Sequence, residues 1–197
     1  MLDMRARKQV SRLADPFARA VARLGLTPTA ITLTGFTISV GGAVLIGMGY
    51  LTIGAGVLAF GAALDILDGV LARITGHETR RGALLDSFTD RLGEVAAWTG
   101  LAFYLGRRAE AALVLLSLLA VCGSLLIPYM RAKAEGEGLQ GRGGIMGRAE
   151  RLIVFGLGVG LEGIGLPTLV ATIWILAILS WITVMQRFYR TWAQLDT

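Results

Sequence analysis

The chain has 197 residues, enough for one domain, with 54% hydrophobic and only 17% charged side chains and a mean hydropathy of +0.65. Charged residues fall well below the quarter or so usual in soluble domains, which excludes a disordered chain, a collagen and an ordinary soluble enzyme. One cysteine, Cys122, excludes an intrachain disulfide framework and a Cys-rich zinc site, and this much unbroken apolar sequence excludes nucleic acid as the partner of the net charge of +5; anionic lipid head groups or phosphorylated substrates suit it better.

In chain order, residues 1–26 lack the uninterrupted apolar core and cleavage-like site of a signal peptide. Val10, Leu13, Phe17, Val21 and Leu24 recur at helical spacing among Arg5, Arg7, Lys8, Arg12, Arg19 and Arg23. This stripe predicts a basic amphipathic helix lying on the membrane surface; a frayed, solvated terminus is the alternative. No charge then occurs for 41 residues, between Arg23 and Asp65. One crossing takes about 20 residues, so this stretch predicts two, joined by a turn at residues 47–50.

The first crossing is predicted from Pro28 to Ile46, with Thr27 as a hydroxyl cap and Pro28 at the first helical position. The second runs from Leu51 to Ile74, followed by a polar loop over residues 76–81. The third runs from Gly82 to Leu105, with a turn at residues 106–108. The fourth covers Ala111 to Ala134, and a Gly-rich charged segment follows from Glu135 to Gly147. The fifth, with the shortest uncharged core, covers Arg148 to Glu162, and the sixth covers Leu166 to Met185. The expectation is therefore an all-α integral membrane protein. It would form a single domain over residues 1–197, with six transmembrane helices in residues 27–197 after the interfacial helix. An even number of crossings puts both termini on one side, and 17 of the 19 Lys and Arg fall on or near it, with Arg107 and Arg108 opposite. The positive-inside rule makes that side cytoplasmic, in a multi-pass protein of the cell (inner) membrane.

Asp65 and Asp68 lie inside the second predicted helix, and Asp86 and Asp90 inside the third. A mid-membrane Asp costs roughly 2.5–3.5 kcal/mol to insert, so four are poorly explained as packing. Spacings of three and four residues put each pair on one helical face. The short loop between the helices sets the pairs at similar depth, near the cytoplasmic side. Four such carboxylates repel unless cations join them. Oxygen ligands select Mg²⁺ or Mn²⁺ over zinc, and a pair of ions about 3.5–4 Å apart suits phosphoryl transfer. Neutralisation by Arg73 and Arg91 is the structural alternative. Gly69, Ala72 and Gly82 beside the pairs admit a close ligand or a packed backbone. Arg73 is placed to clamp a phosphate bidentately.

Together these residues read Asp65-x2-Asp68-Gly69-x2-Ala72-Arg73-x8-Gly82-x3-Asp86-x3-Asp90. The pattern resembles, at every position, the signature of the CDP-alcohol phosphotransferase family. The resemblance implies a six-helix membrane fold, a homodimer and a divalent-metal site open to the cytoplasm. It implies attack of an alcohol on the lipid-linked phosphorus of a CDP-linked donor, with release of CMP. It further implies Asp65, Asp68 and Asp86 as metal ligands and Asp90 as both ligand and catalytic base. Gly69, Arg73, Thr79 and the run Thr29, Ala30, Ile31 and Thr32 would contact the CDP moiety.

Cationic residues later in the chain bear on the acceptor. Arg131, Lys133, Arg151 and Arg187 are expected to form a basic pocket for a phosphorylated alcohol, whereas Arg148 and Arg190 are expected to snorkel to head groups. The runs Tyr129-Met-Arg131-Ala-Lys133-Ala-Glu135, Gly143-Gly144, Arg148-Ala-Glu150-Arg151-Leu152-Ile153 and Gln186-Arg187 are similar to those of actinobacterial phosphatidylinositol-phosphate synthases. This implies CDP-diacylglycerol as donor and inositol 1-phosphate as acceptor. One departure is the order Arg131 then Lys133, where relatives have Lys then Arg. A basic pocket suits glycerol 3-phosphate equally, which would give phosphatidylglycerol phosphate. A divalent-cation transporter is the alternative from another class. The confinement of all four Asp to one side of the membrane, with no ionisable path across, argues against it.

Overall fold

The computed structural model describes residues 26–76 and 78–195. The predicted interfacial helix, with its stripe from Val10 to Leu24, lies outside the described residues. Six helices follow in order: α1 (Pro28–Met48), α2 (Leu51–Thr75), α3 (Arg80–Arg107), α4 (Ala111–Gly136), α5 (Arg148–Glu162) and α6 (Leu169–Leu195). Of these α1, α2, α4 and α6 are long and apolar enough to cross a membrane. The third carries Asp86, Asp90, Arg91 and Glu94, and the fifth has only 15 residues. Large apolar side chains such as Val44, Ile53, Phe60, Leu115 and Trp174 are exposed on the four apolar helices, as lipid-facing positions are.

Most element ends follow local chemistry legible in the sequence. Thr27 caps α1, its hydroxyl accepting from the Ala30 amide at 3.2 Å, and Pro28 opens the helix. Gly49 closes α1 with a left-handed φ of 98°. The third helix starts at Arg80, two residues earlier than predicted, because Thr79 caps it: its hydroxyl accepts from the Gly82 amide at 3.0 Å. The sixth helix differs most. It begins at Leu169, after Pro167, with the Leu169 amide donating to Glu162 at 2.8 Å. It then continues to Leu195, so Arg187 lies well inside it rather than at its end.

The chain divides into two compact units, one ending at Gly100 and the other beginning at Leu101. In the first, α1 and α2 pack antiparallel through glycines seven residues apart on each helix. A Cβ on Gly35 would lie 2.9 Å from the Gly61 carbonyl oxygen, and one on Gly42 would lie 2.8 Å from that of Gly54. Small residues let the backbones touch, which is how membrane helices gain packing energy where no hydrophobic effect drives them together. The same packing brings Thr32, three residues before Gly35 on α1, to Asp68, seven residues beyond Gly61 on α2. In the second unit, Trp181 on α6 donates to the Leu119 carbonyl of α4 at 3.0 Å, and Thr168 donates to the Gly158 carbonyl of α5 at 2.7 Å.

Candidate active site

Asp65 and Asp68 stand on one face of α2, and Asp86 stands near the start of α3. One carboxylate oxygen from each lies within 4.8 Å of the other two. Asp65 and Asp86 are half-buried, while Asp68 is only 5% exposed. Three hard oxygen donors from two helices fit a divalent cation by their chemistry, and no nitrogen or sulfur ligand stands in the group. Thr32 adds a partner that spacing along one helix does not reveal. Its buried hydroxyl lies 3.0 Å from the Pro28 carbonyl and within hydrogen-bonding distance of Asp68 Oδ2. The single hydroxyl proton serves one acceptor at a time, and the charged one is the stronger.

Asp90 stands outside this group of three, one turn further along α3. Its carboxylate lies 3.6 Å from the Arg91 guanidinium, which also donates to Glu94 at 2.9 Å. Arg73 is exposed and donates to the Gly69 carbonyl on its own helix at 3.0 Å. Gly69 is exposed too, with open space where a Cβ would sit. Thr29, Ala30 and Thr79 are exposed, whereas the Ile31 and Thr32 side chains are buried. The neutralising role considered for Arg91 is thus realised at Asp90, while Arg73 is engaged with its own backbone.

A family model described as CDP-alcohol phosphatidyltransferase matches residues 25–192. The chain belongs to that family. This CDP-alcohol phosphatidyltransferase is 42% identical over 194 residues to a phosphatidylinositol phosphate synthase of Mycobacterium marinum, covering 95% of this chain and 82% of that protein. The corresponding enzyme of Corynebacterium glutamicum is 37% identical over 191 residues, covering 95% of this chain and 87% of that one. The crystal structure of the Mycobacterium tuberculosis phosphatidylinositol phosphate synthase with CDP-DAG bound superposes with a TM-score of 0.86 at 40% identity, covering 92% of this chain and 94% of that one. A second structure of that enzyme, with manganese and citrate, also gives 0.86 at 39% identity, over 91% of this chain and 88% of that one. The phosphatidyltransferase is therefore a transferase of phospholipid synthesis and a multi-pass membrane protein, and its three clustered carboxylates have the donor chemistry of a divalent-metal site.

The four basic residues lie in the second unit. The Arg187 guanidinium stands within electrostatic range of Arg131 and Arg151. Arg151 is only 4% exposed. Arg187 donates from Nε to the Gly143 carbonyl at 3.0 Å and from Nη1 to the Ile127 carbonyl at 2.7 Å. Arg131 is exposed and donates to Glu135 at 2.8 Å. Lys133 is exposed and donates to Glu137 at 2.5 Å, which holds that carboxyl below its usual range. The sequence did not reveal the Thr32 hydroxyl as a partner of Asp68, nor Thr183, one turn before Arg187, as a partner of the Met146 amide. The available signal was a run of polar residues on one face of an apolar helix: Ser180, Thr183 and Arg187 at spacings of three and four.

Proposed function

We propose that the chain transfers the phosphatidyl group of CDP-diacylglycerol to inositol 1-phosphate, giving phosphatidylinositol phosphate and CMP. The observation that carries this reading is the convergence of Asp65, Asp68 and Asp86 in a chain about 40% identical to synthases of that name. An inositol hydroxyl oxygen attacks the lipid-linked phosphorus, the bond from that phosphorus to the CMP oxygen breaks, and CMP leaves. Asp90, a turn beyond the triad, accepts the hydroxyl proton. Asp65, Asp68 and Asp86, with Asp90, hold Mg²⁺ or Mn²⁺ as two ions. When bound, the ions neutralise phosphoryl charge and orient donor and nucleophile. Arg73 clamps a donor phosphate. Gly69 leaves room for its approach, and Thr79 and the start of α1, from Thr29 to Thr32, contact the CDP moiety. Arg131, Lys133, Arg151 and Arg187 bind the acceptor phosphate.

We further propose one membrane domain of six crossings, assembled as a homodimer, with both termini and the site facing the cytoplasm. Glycerol 3-phosphate remains the second acceptor to test, because a cationic cluster recognises phosphate whichever alcohol bears it. The deciding experiment measures CMP release by purified protein from CDP-diacylglycerol with inositol 1-phosphate, free inositol, glycerol 3-phosphate or serine. Inositol 1-phosphate should be used best. EDTA should abolish turnover, and Mg²⁺ or Mn²⁺ should restore it. Preference for free inositol or serine would overturn the acceptor reading, and full activity after rigorous chelation would overturn the metal reading.

A further inference from the structure

The segment between α4 and α5 is fastened to the polar face of α6 by a ladder of hydrogen bonds. The Gln194 side chain grips the Gln140 backbone at both ends: the Gln140 amide donates to Oε1 at 2.8 Å and Nε2 donates to the Gln140 carbonyl at 3.2 Å. Arg187 Nε donates to the Gly143 carbonyl. The Ile145 amide donates to Gln186 Oε1 at 3.1 Å, and the buried Met146 amide donates to Thr183 Oγ1 at 3.0 Å. That hydroxyl in turn donates to the Leu179 carbonyl at 2.7 Å. Gly143 and Gly144 adopt φ of 125° and 106°, open only to glycine at little cost, and a Cβ on Gly144 would lie 2.5 Å from the Thr183 methyl. Met146 is buried and Gly147 caps α5. The ladder therefore ends one turn before Arg151, whose amide donates to the Gly147 carbonyl at 3.3 Å.

We infer that Thr183 and Gln186 are positioning residues that set the place of Arg151 and of the loop-facing side of Arg187, and so tune affinity for the phosphorylated acceptor. The inference rests on reading Arg131, Arg151 and Arg187 as acceptor-phosphate ligands. A guanidinium has five N–H groups. Arg187 uses one on Gly143 and one on Ile127, which immobilises it while others stay available for phosphate. Thr183 and Gln186 spend their acceptor oxygens on backbone amides, so their contribution is geometric.

The test compares Thr183→Val, Thr183→Ser and Gln186→Met in the full chain. Hydrogen exchange at the Ile145 and Met146 amides is measured beside the KM values for both substrates. Thr183→Val and Gln186→Met should speed exchange and raise acceptor KM by about two- to tenfold, the scale of one hydrogen bond. CDP-diacylglycerol KM should hold within about twofold, on the same scale, and Thr183→Ser should restore both readouts. Should Thr183→Val not fold, Gln186→Met and Thr183→Ser carry the comparison. Faster exchange with unchanged acceptor KM, or a joint rise of both KM values, overturns the inference. If wild-type protein prefers another phosphorylated acceptor, the functional reading fails by itself, and the same series run with that acceptor still decides the inference.

Discussion

The Thr32 hydroxyl of α1 and the Asp68 carboxylate of α2 are hydrogen-bonding partners, both almost wholly buried, 36 residues apart in the chain. This contact ties the helix that begins the described chain to the carboxylate group. It engages Asp68 through Oδ2. Partners of this kind, one step behind a metal ligand, typically govern metal affinity about 10- to 100-fold. Thr32→Val keeps the shape and removes the donor. It should weaken Mn²⁺ binding on that scale, read by titration of the free enzyme, and shift the activating metal concentration in parallel. Unaltered Mn²⁺ affinity would show that Thr32 acts elsewhere.

Asp90 is set apart from the other three carboxylates by its contact with Arg91. If it takes the hydroxyl proton, Asp90→Asn should lower turnover at least about 100-fold, the lower end for a general base. Mn²⁺ affinity and CDP-diacylglycerol binding should fall much less than with Asp68→Asn. Near-wild-type turnover would remove Asp90 from the reaction.

The glycine register between α1 and α2 gives a prediction about packing. Gly61→Leu places a side chain where a Cβ already lies 2.7 Å from the Gly35 carbonyl oxygen. Overpacking of this kind costs typically about 1–3 kcal/mol. The variant should lose thermal stability in detergent and also metal affinity, because the wedge pulls Thr32 from Asp68. Gly56→Leu, where a Cβ meets open space, should change neither property by comparison.

The basic residues should separate donor from acceptor binding. A hydrogen bond to a charged group is worth roughly 1.5–3 kcal/mol, or about ten- to hundredfold. Arg151→Ala or Lys133→Ala should raise the inositol 1-phosphate KM by that range and leave the CDP-diacylglycerol KM nearly unchanged. A common rise in both constants would assign these residues to the donor or to the lipid surface. Arg151, being buried, should show the larger effect, since exposed Lys133 is already screened and paired with Glu137.

The order and number of the described helices were legible from apolar runs and from caps such as Thr27 and Pro28, because helix formation and capping depend on neighbours a few residues away. The carboxylate motif was legible for the same reason: Asp65 with Asp68, and Asp86 with Asp90, are set three or four residues apart on single helices. Which carboxylates meet was decided only in three dimensions. Asp86 joins Asp65 and Asp68 while Asp90 pairs with Arg91, and no spacing within one helix chooses between them. Arg187 looked like a helix end because apolar residues thin out there, yet the backbone continues to Leu195, where polar residues find partners in the segment before α5. The contacts of Thr32 with Asp68 and of Thr183 with Met146 join residues 36 and 37 positions apart. The first depends on how closely glycines let α1 and α2 approach, and the second on how closely the glycine-bearing segment before α5 lies against α6, properties of the packed pair that neither partner carries alone.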